Sequence, residues 1–145
     1  KKSSENKNIR STTLKSIKPS LFPEISKALL DLIPVWNKNL NPINYCVKEM
    51  QYLKYCVGDH FTKHKDQIVI KDKDLRIFST STIISKTSDL KGGDFQIWTP
   101  DESYTDVVNL EVGETLFFDS EITPHQVHKV TCGTREVLVS WIYIK

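Results

Sequence analysis

The sequence predicts a mainly β domain of sandwich, barrel or jelly-roll type, preceded by one supporting helix. Three observations carry this. From about residue 45 the chain becomes a succession of short runs rich in Val, Ile, Thr and aromatics, separated by Gly, Asp, Pro or Ser clusters. All five glycines (Gly58, Gly92, Gly93, Gly113, Gly133) lie after residue 57, whereas Pro19, Pro23, Pro34 and Pro42, four of six prolines, lie before residue 45. The one sustained helical period stands in the Pro-punctuated part. A chain of 145 residues suits a single domain. At that size roughly two-thirds of the unfolded surface can be buried without disulfide staples.

Residues 1–18 are rich in Lys, Ser, Asn and Thr and are expected to form a loosely ordered lead-in. Residues 19–145 then form the domain, with helical support over about 19–44 and the β core over about 45–145. In LFPEISKALLDLIPVW, the residues Leu21, Phe22, Ile25, Leu29, Leu32 and Ile33 recur at three- and four-residue spacing, the pattern of an amphipathic helix laid on a sheet. Pro23 suits a first helical turn, and Pro34 is expected to stop or kink the helix. NKNLNPIN makes a bend. Strands are expected in YCVKEMQYLKYCV, DQIVI, RIFSTSTIIS, DFQIWT, TDVVNLEV, ETLFFD, HQVHKVT and REVLVSWIYIK. A jelly roll closes such a set of short strands naturally.

Charge and cysteine usage narrow the function. Twenty basic against eighteen acidic side chains leave a net charge of +2, so a dedicated nucleic-acid binder, which needs a strongly basic face, is disfavoured. No apolar run approaches the ~20 residues of a membrane span, and no membrane partner is expected. Cys46, Cys56 and Cys132 are odd in number and lack CxxC spacing, which argues against a disulfide framework or a zinc ribbon. A cytoplasmic setting (the host cytoplasm for a viral source) is expected. Nothing in the sequence speaks to oligomeric state.

The four histidines fall in two groups, His60 with His64 and His125 with His128. On a strand, side chains two apart share a face, so His64 and Asp66 of GDHFTKHKD could reach one metal ion. The alternative is a solvated turn, because Lys63, Lys65 and Lys71 surround the pair. A third ligand would come from His125 or His128. Two imidazoles and one carboxylate leave open positions on an octahedral ion, the arrangement of non-haem Fe(II) oxygenases. Arg135 lies ten residues past His125 and could bind a carboxylate in a bidentate fork. An edge-strand solubiliser is its plainer reading.

Four ordered blocks carry a resemblance. Tyr55-x-x-Gly58-Asp59-His60-Phe61-x-x-His64-x-Asp66 opens the series, and Arg76-Ile77-Phe78-Ser79 with Gly92-Gly93-Asp94-Phe95 follows. Then come Gly113-Glu114-Thr115-Leu116-Phe117-Phe118-Asp119-Ser120 and His125-x-Val127-x-x-Val130-x-x-Gly133-x-Arg135 with Trp141. Together, over about residues 52–143, they resemble the prolyl-4-hydroxylase-like 2-oxoglutarate/Fe(II) dioxygenases, in particular their small bacterial and phage-type members. The resemblance implies a cupin-like double-stranded β-helix with Fe(II) held by His64, Asp66 and His125, the last chosen by its spacing to Val127 and Arg135. It implies 2-oxoglutarate as co-substrate, with Arg135 and Tyr55 on its distal carboxylate, and ascorbate as an accessory reductant. His128 becomes a rim residue and His60 a residue of the approach. Tyr52 is a competitor for the tyrosine role, and Ile83, Leu116 and Val127 are candidate walls of the co-substrate pocket. Trp141 reads as core, and Trp98 lies beside the TPDESY loop, where packing or substrate contact are both open.

The implied reaction uses O2 to decarboxylate 2-oxoglutarate to succinate and CO2 while hydroxylating an unactivated C–H bond. Asp66 argues for hydroxylation over halogenation, since a small residue there would open a halide position. A prolyl residue of a peptide or protein is the family-level substrate. A free amino acid, another small molecule or a nucleobase are alternatives, the last weakened because Trp141 stands where a nucleic-acid repair relative would carry a second arginine. A non-enzymatic cupin-like binding or structural module is the alternative of another class; it would need neither the metal face nor Arg135.

Overall fold

Alternation along the final strand organises the molecule. The computed structural model describes residues 9–66 and 76–145, and the central strand of one five-stranded sheet, β12 (Arg135–Ile144), is buried on both faces. Arg135, Val137, Val139 and Trp141 line an internal cavity, whereas Leu138 and Ile142 pack against the residues beneath the helix. A strand covered on both sides carries apolar residues at successive positions, as REVLVSWIYI does.

β12 sits third in a five-stranded antiparallel sheet, between β3 (Tyr45–Tyr55) and β5 (Phe78–Lys86), with β2 (Thr13–Ile17) and β9 (Thr115–Asp119) at the edges. The facing sheet has the order β1 (Arg10–Ser11), β4 (His60–His64), β10 (His125–Val127), β7 (Phe95–Trp98), β8 (Thr105–Val108). A short ribbon pairs β6 (Lys91–Gly92) with β11 (Val130–Cys132). The core lies between the two large sheets: Leu53, Tyr55, Ile83, Phe118 and Val137 from one meet Phe95 and Val127 from the other. This is the expected mainly β, jelly-roll architecture, and the strands expected after residue 75 all form.

Three expectations change. The loose lead-in does not hold for residues 10–17, which form β1 and β2 and extend both sheets. β2 pairs with β3 from Thr13↔Lys54 to Ile17↔Met50, so its polar composition reflects an edge position and not disorder. Residues 1–8 lie outside the described residues, as does the expected DQIVI strand beyond Asp66. The helix α1 (Pro23–Trp36) runs through Pro34. Pro34 removes one backbone donor within the last turn, and the Trp36 ring, 5.0 Å from Phe78 and 5.5 Å from Phe117, holds the end in place. The apolar stripe is also narrower than expected. Leu29 and Ile33 are buried against the outer face of the β12 sheet, while Leu21, Ile25 and Leu32 remain exposed.

Candidate metal centre

His64 closes β4 and His125 opens β10, and the two are register partners. Antiparallel pairing therefore brings residues sixty-one apart in sequence to adjacent positions, with ring centroids 4.2 Å apart. Asp66 follows two residues after His64; its backbone N–H donates to Ser120 O at 3.1 Å, which ties the chain to the opposite sheet just past β9. The Asp66 Oδ1 atom lies 3.2 Å from His64 Nε2 and 3.1 Å from His125 Nε2. Ligand atoms of His64, Asp66 and His125 all fall within 4.8 Å of one another.

The other imidazole nitrogens explain this aim. His64 Nδ1 contacts Thr62 O at 2.6 Å and His125 Nδ1 contacts Thr123 O at 3.0 Å. A carbonyl only accepts, so each Nδ1 donates its hydrogen and each Nε2 is left facing Asp66 Oδ1. Such backbone contacts are the usual outer partners of metal-bound histidine. Burial alone would push the Asp66 carboxyl up, but the facing His125 and His64 hold it well below the usual carboxylate range. Three convergent donors, one of them a carboxylate held ionised, fit a divalent cation with open coordination positions. Phe61 stacks on His64 and Phe95 on His125, so the rings are pinned on their apolar sides too.

The same cavity, ≈ 240 Å³, reaches Arg135 and Tyr55. These two are cross-strand partners on β12 and β3, 6% and 1% exposed, with the guanidinium carbon 5.3 Å from the Tyr55 ring centroid. No carboxylate forms an ion pair with Arg135 among the described residues. Burial lowers its pKa, opposed only by the charges of Tyr55 and Asp94. A buried cation without a counter-ion is a prepared anion site. Burial also pushes the Tyr55 phenol up to about 12 against the pull of Arg135, so it presents an O–H donor at neutral pH. Gly93 makes room here: it holds φ +67°, and a Cβ would come within 3.0 Å of Arg135 Cδ and 2.9 Å of Val130 Cγ2.

The remaining candidates separate cleanly. His128 turns to Gln96, its Nε2 2.7 Å from Oε1, and does not join the cluster. His60 contacts Gly58 O and does not line the cavity. Tyr52 donates to Glu136 Oε1 at 2.5 Å, away from Arg135. Val127 walls the main cavity, while Ile83 and Leu116 wall a smaller one, ≈ 60 Å³, that also touches Arg135. Trp98 lies under the Lys63 ammonium at 4.3 Å.

The sequence reading missed an entire layer behind Asp66. Trp141 is buried as expected, but its Nε1 donates to Asp66 Oδ2 at 3.2 Å. Arg76 lies over the Trp141 ring at 3.8 Å, forks onto both Glu49 carboxylate oxygens at 2.8 Å, and donates to Asp66 O at 3.1 Å. The Tyr143 hydroxyl closes the group by donating to Glu49. One signal was available: Glu49 falls on the same alternation of β3 as the inward-facing Leu53 and Tyr55, where a carboxylate needs a partner.

The profile of the 2OG-Fe(II) oxygenase superfamily matches residues 50–143. No curated protein matches the sequence. Among solved structures, similarity extends to a prolyl-4-hydroxylase of Pseudomonas putida, at 20% identity and TM-score 0.74, covering 100% of this chain and 78% of that one. A viral collagen prolyl hydroxylase of Paramecium bursaria chlorella virus-1, bound to 2OG, is similar at 16% identity and TM-score 0.73, over 94% of this chain and 81% of that one. A Trichoplax adhaerens prolyl hydroxylase, in complex with a hypoxia inducible factor oxygen degradation domain peptide fragment, is similar at 18% identity and TM-score 0.72. The alignment there covers 97% of this chain and 66% of that one.

Proposed function

The chain belongs to the 2OG-Fe(II) oxygenase superfamily, and from that premise we propose that His64, Asp66 and His125 hold its Fe(II), that Arg135 and Tyr55 bind 2-oxoglutarate, and that the substrate is a prolyl residue of a peptide or protein. The observation that carries the reading is a cavity that joins a two-His-one-carboxylate cluster to a buried guanidinium with no carboxylate partner among the described residues. A cation site alone would fit many metals. A cation site facing a buried anion site fits a metal that works with a small dianionic co-substrate.

When bound, the iron supplies the oxidation that couples decarboxylation of 2-oxoglutarate by O2 to hydroxylation of a C–H bond. The protein's own residues do the rest. The Thr62 and Thr123 carbonyls keep both imidazoles in the tautomer that offers Nε2. Arg135 takes the distal carboxylate in a planar fork, and the neutral Tyr55 hydroxyl donates to the same anion. Phe95, Phe118 and Val127 line the space between with apolar surface and keep water from it. No step in this reading asks a side chain to move a proton. Ascorbate, as an accessory reductant, would act on the iron and has no dedicated residues in this reading.

Support for a prolyl substrate comes from the architecture shared with three prolyl hydroxylases. Anaerobic addition of Fe(II) and 2-oxoglutarate should give the weak visible charge-transfer band of the chelate. Absence of the band in the wild type, or a band unchanged in His125→Ala, would overturn the site. Succinate release should then rise with proline-containing peptides. A rise only with free amino acids, other small molecules or single-stranded DNA would replace the prolyl reading and leave the iron site standing.

A further inference from the structure

The layer behind Asp66 has a geometry that simple core packing does not require. A carboxylate can offer a metal one oxygen or both. Here the two oxygens have different surroundings. Oδ1 faces His64 and His125 at 3.2 and 3.1 Å, and Oδ2 accepts from Trp141 Nε1 at 3.2 Å. Indole N–H is a donor only, so it satisfies Oδ2 without competing for Oδ1. The indole is itself held. Its ring lies under the Arg76 guanidinium at 3.8 Å. Arg76 is fixed in both rotation and tilt by two hydrogen bonds to Glu49, each 2.8 Å. Trp141 and Glu49 are cross-strand partners on β12 and β3, and Trp141 pairs with Ser79 of β5 on its other side. Arg76 also reaches the Asp66 backbone carbonyl at 3.1 Å, so both the side chain and the main chain of this residue are tied to one stack.

We propose that Trp141, clamped by the Glu49–Arg76 pair, positions Asp66 so that it gives the metal a single oxygen. This rests on the reading of His64, Asp66 and His125 as the metal ligands. Trp141 and Arg76 are positioning residues: they act on the ion only through Asp66. Freed of the indole, Oδ2 can turn toward the ion, or the carboxylate can swing away from it. Either change lowers affinity and alters the number of ligands the protein supplies. Truncating such an outer partner typically weakens metal binding about 10- to 100-fold.

The test uses Co(II), whose visible d–d absorption reports coordination number and whose binding is read without turnover. Wild type, His125→Ala, Trp141→Phe and Arg76→Gln are titrated, with circular dichroism confirming the fold. The expected result is a Kd raised about 10- to 100-fold in Trp141→Phe, with a changed d–d intensity, and a smaller rise in Arg76→Gln. Should Trp141→Phe fail to fold, Arg76→Gln carries the same decision, since the Arg76 side chain keeps some exposure, 13%, and is less deeply buried than the indole. Variants that bind Co(II) with wild-type affinity and spectrum, while His125→Ala does not, overturn the clamp alone. A wild type that binds no better than His125→Ala overturns the metal site itself.

Discussion

Arg135 is 6% exposed, its guanidinium lies by the Tyr55 ring, and it has no carboxylate ion pair among the described residues. A cation kept in this state opposes folding until an anion arrives. Arg135→Met is therefore expected to leave the melting temperature of the 2-oxoglutarate-free protein unchanged or raised. The same change removes two charge-assisted hydrogen bonds worth about 1.5–3 kcal/mol each, so 2-oxoglutarate affinity should fall by at least about 100-fold. Calorimetry with a redox-inert divalent metal present measures both effects on one sample. A variant that melts several degrees lower and still binds the dianion normally would refute the assignment.

Elements place these side chains, and their two faces carry separate duties. The inner alternation of β12 supplies Arg135 and Trp141 to the cavity, and the outer one supplies Leu138 and Ile142 to the helix side. Ile33, fully buried, belongs to the outer layer. Ile33→Ala should cost about 2–5 kcal/mol in urea unfolding, with the Co(II) affinity of the surviving folded fraction unchanged. A matching loss of metal affinity would mean that the layers are not separable. Gly93 tests the opposite layer. Alanine there meets Arg135 Cδ at 3.0 Å and must hold φ +67°, a strain of about 1–2 kcal/mol. Gly93→Ala should weaken 2-oxoglutarate binding and spare metal binding; equal loss of both would place the disturbance elsewhere.

Across the whole molecule, the buried ionisable groups make stability a domed function of pH. Hydrogen bonds from Arg76 lower the Glu49 pKa, against its burial, and Asp66 is held low as well. A carboxyl lowered in the folded state contributes stability that is present above its unfolded value, 4.5 for Glu49, and is lost as pH falls through the folded one. At the other limb, burial raises Tyr55 and Tyr143 from 10.0 to about 12, so their contribution is complete below pH 10 and fades as pH rises toward 12. Urea midpoints of the metal-free protein should be flat between these limits and fall outside both. Glu49→Gln should show a shallower acid limb than the wild type; an identical limb would remove Glu49 from the account.

Much of this was written in one dimension. The glycine and proline distribution and the short β runs determine the jelly-roll class and its single helix. His64, Asp66, His125, Arg135 and Tyr55 were singled out by the motifs that resemble the family, and antiparallel pairing then brings His64 beside His125 and Tyr55 beside Arg135. Two kinds of information were not local. Polar β1 and β2 read as loose chain because an edge strand needs no apolar pattern of its own, only a neighbour with open hydrogen bonds. The Glu49–Arg76–Trp141–Asp66 stack joins β3, β12 and the segments flanking residues 67–75 across distances in sequence that no period encodes. Which residues to propose for the metal and the dianion was legible in the sequence through its resemblance to family motifs. Which oxygen of Asp66 is offered, and what holds it there, is decided only when separate strands pack, since that depends on the partner each atom meets across the fold.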